Sequence, residues 1–188
     1  MDAIPPGPEE DIPGDAPDLT AAVAPEAAWA WLSLPPEALL KQCRQSRFQG
    51  SGPGGQKRNR VYSGVRLTHA DSGLTGECVD SRASGRNVGE ALARLRMRLA
   101  LAAVAPSGGR DPAPGSAFRA AANPSHPDYP RFALRALLQL SGNGGQVAPA
   151  AAALACTASA LTRFLKGDKA VWARAREIRA AHGLHPLK

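Results

Sequence analysis

Residues 50–56 read Gly-Ser-Gly-Pro-Gly-Gly-Gln, and Lys57, Arg58 and Arg60 follow around Asn59. Five of the first six residues are Gly or Pro, a composition that fits neither a helix interior nor a central strand, so the stretch is a loop. Gly54 and Gly55 permit positive φ and let a second backbone approach closely. A bare backbone, one amide side chain and a collar of cations suit delivery of a main-chain group to a crowded, phosphate-rich target.

Other residues with chemical potential form weaker groupings. Cys43, Cys78 and Cys156 are far apart and odd in number, with no C-x-x-C pair and no clustered His, which argues against zinc and fits a reducing cytoplasm. Ser63, His69 and Asp71 fall on one predicted strand and its turn, an arrangement that does not make a catalytic triad. Gly144-Gly145-Gln146 repeats the loop's tripeptide. It lacks a preceding Pro and a following basic run, and helical patterns flank it, so it reads as a helix-breaking connector.

The elements that must position the loop come next. From Pro25 to Arg47 the pattern turns helical, with Pro25 and Pro35 suited to first turns and Trp29 and Trp31 expected as packing anchors. After the loop, Val65, Leu67 and His69 alternate with Arg66 and Thr68, a half-buried strand. Residues 70–73 are turn chemistry, and residues 74–80 read as the partner strand of a hairpin. Asn87 and Glu90 have capping-box spacing at the start of a helix whose Val88, Leu92, Leu95 and Leu99 form an apolar stripe. Arg94 and Arg98 ride together off that stripe, and Glu90 to Arg94 is a favourable i,i+4 pair.

The loop with Asn59, Val65-Arg66-Leu67-Thr68-His69, the turn glycine Gly73, and Arg82 with Asn87 before a helix follow one another in an order that resembles the catalytic domain of class I peptide chain release factors. It resembles equally the codon-independent ribosome-rescue hydrolases that share this domain. The match covers roughly residues 47–100. Three departures stand out: Arg82-Ala83-Ser84 replaces the usual Arg-Ser-Gln, Gly64 sits where Ala is commoner, and the turn lacks the usual Pro-Thr-Gly. The segment before the loop is also less strand-like than the family pattern.

The resemblance implies that the substrate is peptidyl-tRNA on the ribosome, with Gly54, Gly55 and Gln56 as the catalytic residues. Ester hydrolysis passes through a tetrahedral oxyanion, and the Gln56 main-chain N–H would be aimed at that charge. The Gln56 side chain would line the water pocket, and it is the implied site of N5-methylation by a dedicated methyltransferase. Ser51, Lys57, Arg58, Asn59, Arg60, Arg82 and Arg86 are the implied RNA contacts, with Asn59 ordering the loop. His69 matches the family's strand-end His and is expected to be structural. The large-subunit ribosomal RNA completes the site; neither metal nor cofactor is implied.

Charge distribution agrees with a polyanionic partner. Residues 1–43 hold eight acids against one Lys, whereas residues 44–98 and 99–188 each hold eleven Lys and Arg against four acids. The expected organisation is an acidic, Pro-rich disordered tail over 1–24, a catalytic α+β domain over 25–104, a Pro/Gly linker over 105–127 and an all-helical module over 128–188. That module offers a helix-turn-helix pair around Thr157, an Asp168 cap and Gly183 as the last helix's C′ residue. No apolar run approaches a membrane span, and no targeting segment is apparent, so a cytoplasmic monomer is expected. A stop-codon-reading domain finds no room in this organisation, which favours codon-independent hydrolysis. The rival readings are a non-hydrolytic ribosome- or RNA-binding protein and a helix-turn-helix DNA-binding regulator.

Overall fold

A computed structural model of the chain describes residues 23–49, 63–81, 84–106 and 108–187. Two short helices open it, α1 (Pro25–Ser33) and α2 (Pro36–Lys41), each with Pro in its first turn. Proline suits that position because its missing N–H would have no intrahelical partner there. Strands β1 (Cys43–Phe48), β2 (Gly64–His69) and β3 (Thr75–Cys78) form an antiparallel sheet in the order β1-β2-β3. The register pairs Cys43 with His69 and Phe48 with Gly64, then Val65 with Cys78 and Thr68 with Thr75.

Val65, Leu67 and His69 of β2 are buried, as their alternation predicts, and Gly73 closes the β2–β3 turn with φ +68°. The helical expectation through Arg47 is overturned, because β1 begins at Cys43. Helix α3 (Ser84–Ala102) packs on β2 and β3. Arg44, Gln45, Ser46 and Arg47 of β1 are all exposed, so β1 has no alternating signal to read. Its cations instead suit an unpaired sheet edge.

The α3 stripe is confirmed at Leu92, Leu95 and Leu99. Arg94 and Arg98 do lie off it, and both strap the outer edge of the sheet. Arg98 Nη1 donates to Thr75 O at 2.9 Å, Arg94 Nη1 to Glu77 O at 2.7 Å, and Arg94 Nη2 meets Asp80 Oδ2 at 2.5 Å. The expected Glu90–Arg94 pair is therefore replaced by Arg94–Asp80.

The remaining helices are α4 (Tyr129–Gly142), α5 (Val147–Ala153), α6 (Ala158–Lys166) and α7 (Lys169–Ala181). The fold is thus α+β, a small sheet on one long helix followed by a helical module. Eleven of the 14 residues of α4 are buried, which makes it the helix around which that module packs. Helices α5 and α6 meet at 98°, the angle of a helix-turn-helix pair. Thr157 accepts from Ala160 N and caps α6; Asp168 accepts from Ala170 N and Val171 N and caps α7; Gly183 follows α7 with φ +68°. Among the described residues no single helix is long and apolar enough to cross a membrane.

The segment after α3 is bound to α4. Ser141 Oγ donates to Ala105 O at 2.9 Å, and the carboxylate of Asp111 meets Arg135 Nη2 at 2.9 Å. Helix α1 bridges α3 and α4: Arg96 donates to Leu32 O at 2.8 Å, and Arg131 lies 4.7 Å over the Trp29 ring. Trp31 packs edge-on against His69 with centroids 4.4 Å apart. Both tryptophans are therefore packing anchors.

Candidate functional site

The Gly-Pro loop joins β1 to β2, and Gly54, Gly55, Gln56, Ser51, Lys57, Arg58, Asn59 and Arg60 lie outside the described residues, as does Arg82. What is described is the frame that holds the loop's two ends. Phe48 and Gly64 are the last paired residues, so the chain leaves and re-enters the sheet side by side. A Cβ on Gly64 would stand 2.7 Å from Phe48 O and 3.0 Å from its ring. Glycine at this position thus lets the Phe48 ring lie against the start of β2. Arg66 sits beside that ring, its guanidinium carbon 5.5 Å from the ring centroid, and its Nε pairs with Glu77 Oε1 at 2.7 Å. Exposed Arg47, one residue before Phe48, is a further cation at the loop's base that the helical reading of this segment concealed.

Asn87 is the second fastening, and its role corrects the capping expectation. Helix α3 already begins at Ser84, so Asn87 lies inside the helix, fully buried. Its Nδ2 donates to Ser63 O at 2.6 Å and to Ser81 O at 2.7 Å, while Oδ1 accepts from Ser81 N at 2.9 Å. One amide therefore ties three segments together: the loop's exit, the connection after β3, and the first turns of α3. Cys78 Sγ also donates to Oδ1 at 3.5 Å, so both N–H groups and both lone pairs of the amide are engaged. Arg86, one residue earlier, is exposed; Asp80, Ser81, Arg86, Asn87 and Glu90 surround a cavity of about 640 Å³.

His69 lies at the far end of β2 from the loop. Ser72 N donates to its Nδ1 at 3.3 Å, and Nε2 faces Gln42 Oε1 at 3.4 Å. An Nδ1 that accepts leaves the proton on Nε2. Burial pushes its pKa down, and the nearby Asp71 carboxylate opposes that only in part, so the ring is held neutral. Ser63 and His69 are six strand residues apart, about 20 Å at ~3.3 Å per residue, which rules out their acting together.

Burial raises the thiol pKa of Cys43 and of Cys156, which works against a reactive thiolate at either site. Among the described residues no group of three His, Cys, Asp or Glu side chains could hold a metal ion. The second Gly-Gly-Gln is a connector: Gly144 and Gly145 have φ +62° and +73° between α4 and α5, and Gly145 O accepts from Arg179 Nη1 at 2.6 Å.

Among the described residues, then, a three-stranded antiparallel sheet packs on one long helix, and the sequence between β1 and β2 holds Gly-Gly-Gln followed by three cations. Residues 38–108 match the RF-1 domain family. The chain is 41% identical over 80 residues to peptide chain release factor 1 of an Exiguobacterium species, covering 43% of this chain and 21% of that protein. It is 42% identical over 81 residues to peptide chain release factor 1 of Syntrophobacter fumaroxidans, covering 43% and 22%. The chain thus spans about a fifth of the length of the curated relatives it matches. No solved structure matches it.

Proposed function

We propose that this protein hydrolyses the peptidyl-tRNA ester on the ribosome without needing a stop codon. The observation that carries the reading is the intact Gly54-Gly55-Gln56 sequence within an RF-1 domain whose described strands and Asn87 fasten both ends of that loop. Water attacks the ester carbonyl carbon, and the carbonyl oxygen becomes an oxyanion that the Gln56 N–H stabilises. The bond to the ribose oxygen then breaks, and that oxygen takes up a proton. A preorganised main-chain donor contributes most where charge develops, and losing one such donor typically costs about 100- to 1000-fold in rate. Gly54 and Gly55 bring the amide close because they carry no Cβ. No side chain of this loop is a general base, so the ribosomal RNA and tRNA supply the proton path.

In this reading Ser51, Lys57, Arg58, Asn59, Arg60, Arg82 and Arg86 face RNA. The partners are large-subunit ribosomal RNA and peptidyl-tRNA, with a glutamine methyltransferase acting on Gln56. The protein works as a cytoplasmic monomer, with the catalytic domain over 25–104 and the helical module over 128–188. The residues after the RF-1 match form α4–α7, and the codon dependence of the reaction is what the release assay decides.

The test is peptide release from ribosomes carrying peptidyl-tRNA, with a sense codon, a stop codon or no codon in the decoding site. Release is expected in all three cases, and Gly55→Ala should slow it about 100-fold or more because the added Cβ displaces the amide. Release confined to stop codons would remove the codon-independent part. A Gly55→Ala variant as fast as wild type would remove the mechanism.

A further inference from the structure

The helical module carries a strip of cations that its own acids do not neutralise. Residues 129–188 hold nine Lys and Arg against two acids. Both acids are engaged within the module: Asp168 caps α7, and Glu177 pairs with Arg174 at 2.9 Å. Arg163 and Lys166 are exposed on α6, and Lys169 and Arg176 are exposed on α7. Among the described residues none of these four has a carboxylate within ion-pair distance. Ser159, Thr162, Arg163 and Lys166 follow i, i+3, i+4, i+7 spacing and share one face of α6. Lys169, Trp172 and Arg176 share one face of α7 in the same way. The Lys166 ammonium lies 5.4 Å over the half-buried Trp172 ring, which joins the two faces into a single surface.

We propose that this α6–α7 strip binds the phosphate backbone of double-helical RNA, giving the protein a second nucleic-acid contact separate from the Gly-Gly-Gln loop. The choice of RNA over DNA rests on the ribosomal reading above and on the chemistry of the strip. Sequence readout of a DNA major groove relies heavily on amide and guanidinium pairs to base edges. The α6 face presents no Asn or Gln, and the Thr162 hydroxyl already donates to Ala158 O at 2.9 Å. What the strip presents is charge, the Arg163 and Arg176 guanidiniums included, with two hydroxyl groups and a flat aromatic edge, which suits phosphates and 2′-hydroxyls read by shape. The α5–α6 bend holds α6 at the surface like a recognition helix, but of the amide and guanidinium groups that read bases its face offers Arg163 alone.

The experiment measures binding of the full-length protein to a fluorescent RNA hairpin at several salt concentrations, with a DNA hairpin of the same sequence alongside. The comparison variants are Arg163→Gln/Lys166→Gln/Arg176→Gln, the charge-conserving Arg163→Lys/Arg176→Lys, and Gln56→Ala. The triple variant should bind RNA about tenfold or more weakly near physiological salt and lower the salt slope by about 2 to 3, one counterion-release increment per lost phosphate contact. The Lys variant should retain most of the affinity, and Gln56→Ala should bind the hairpin like wild type. Unchanged RNA affinity in the triple variant overturns the proposal. Equal affinity for the DNA hairpin overturns the assignment to RNA. Peptide release by wild-type protein is scored separately, so an inactive loop and an inert strip give different results.

Discussion

Asn87 Nδ2 holds the carbonyls of Ser63 and Ser81, one on each side of the β2–β3 hairpin, and its Oδ1 holds the Ser81 N–H. Removing a buried partner leaves those groups desolvated and unpaired, at a cost of about 1–3 kcal/mol. Asn87→Ala should therefore lower unfolding free energy by about that much in urea titration. Asn87→Asp is isosteric and keeps the acceptor, but it turns both donated hydrogen bonds into oxygen–oxygen repulsions, so it should be no milder. Both variants should also slow peptide release, because the loop's exit loses its anchor. A variant with full stability and full release would mean that Ser63 is held by other contacts. The sequence displays Asn87 plainly, but its three-residue spacing from Glu90 imitates a capping box. Only the start of α3 at Ser84 converts the cap into an interior clamp. Phe48 was illegible for a related reason: its partner Gly64 is 16 residues away, across the loop.

At the scale of elements, the close approach of α3 to the sheet depends on Gly76 of β3. A Cβ there would lie 2.1 Å from Ala91 O and 2.6 Å from Leu95 N, both main-chain atoms of α3. A helix backbone cannot turn aside as a side chain can, so Gly76→Ala should cost about 3 kcal/mol in thermal or urea unfolding. Gly73→Ala provides the contrast. Gly73 has φ +68° with open space around its Cβ position, so only left-handed strain opposes the change, about 1 kcal/mol. If the two substitutions cost the same, the helix–sheet spacing is not fixed at Gly76. The hairpin and the α3 stripe were readable because β2 and α3 each bury one face and expose the other, at Val65, Leu67, Leu92, Leu95 and Leu99. Strand β1 was not, because its residues 44–47 bury neither face and its strand character comes from hydrogen bonding to β2. The caps Thr157 and Asp168 were legible for the opposite reason, since a cap is local chemistry satisfied within three residues.

Across the whole molecule, the Pro- and Gly-rich residues after α3 have the composition of a linker, yet Asp111 within them is buried against α4. Its carboxylate meets Arg135 Nη2 at 2.9 Å and Nε at 3.0 Å, and accepts from Gln139 Nε2 at 3.1 Å and Ala113 N at 3.0 Å. Arg135 also donates to Ser116 O, so both ends of residues 111–116 are fixed to one guanidinium. Such a tie is invisible in composition, because it depends on two charges 24 residues apart. With side chains 2% and 4% exposed, the pair is isolated from water, and breaking it should strand a charge. Asp111→Ala should cost about 3–5 kcal/mol, whereas Asp111→Leu combined with Arg135→Met should lie closer to wild type, because both charges are then gone. Acidity gives an independent check. Burial alone would raise the Asp111 pKa, but the Arg135, Ala113 and Gln139 hydrogen bonds together hold it below its ordinary 3.8. A carboxyl with a depressed folded pKa binds its proton more readily when unfolded, so its stabilisation is complete above that ordinary value and is lost as pH falls through the folded one. The stability gap between wild type and Asp111→Asn should accordingly be constant from neutral pH to about 5 and narrow only in stronger acid. A gap that is already closing near neutrality would mean that Asp111 is not held below its ordinary pKa, because a group such as His69, present in both proteins, cancels from the difference.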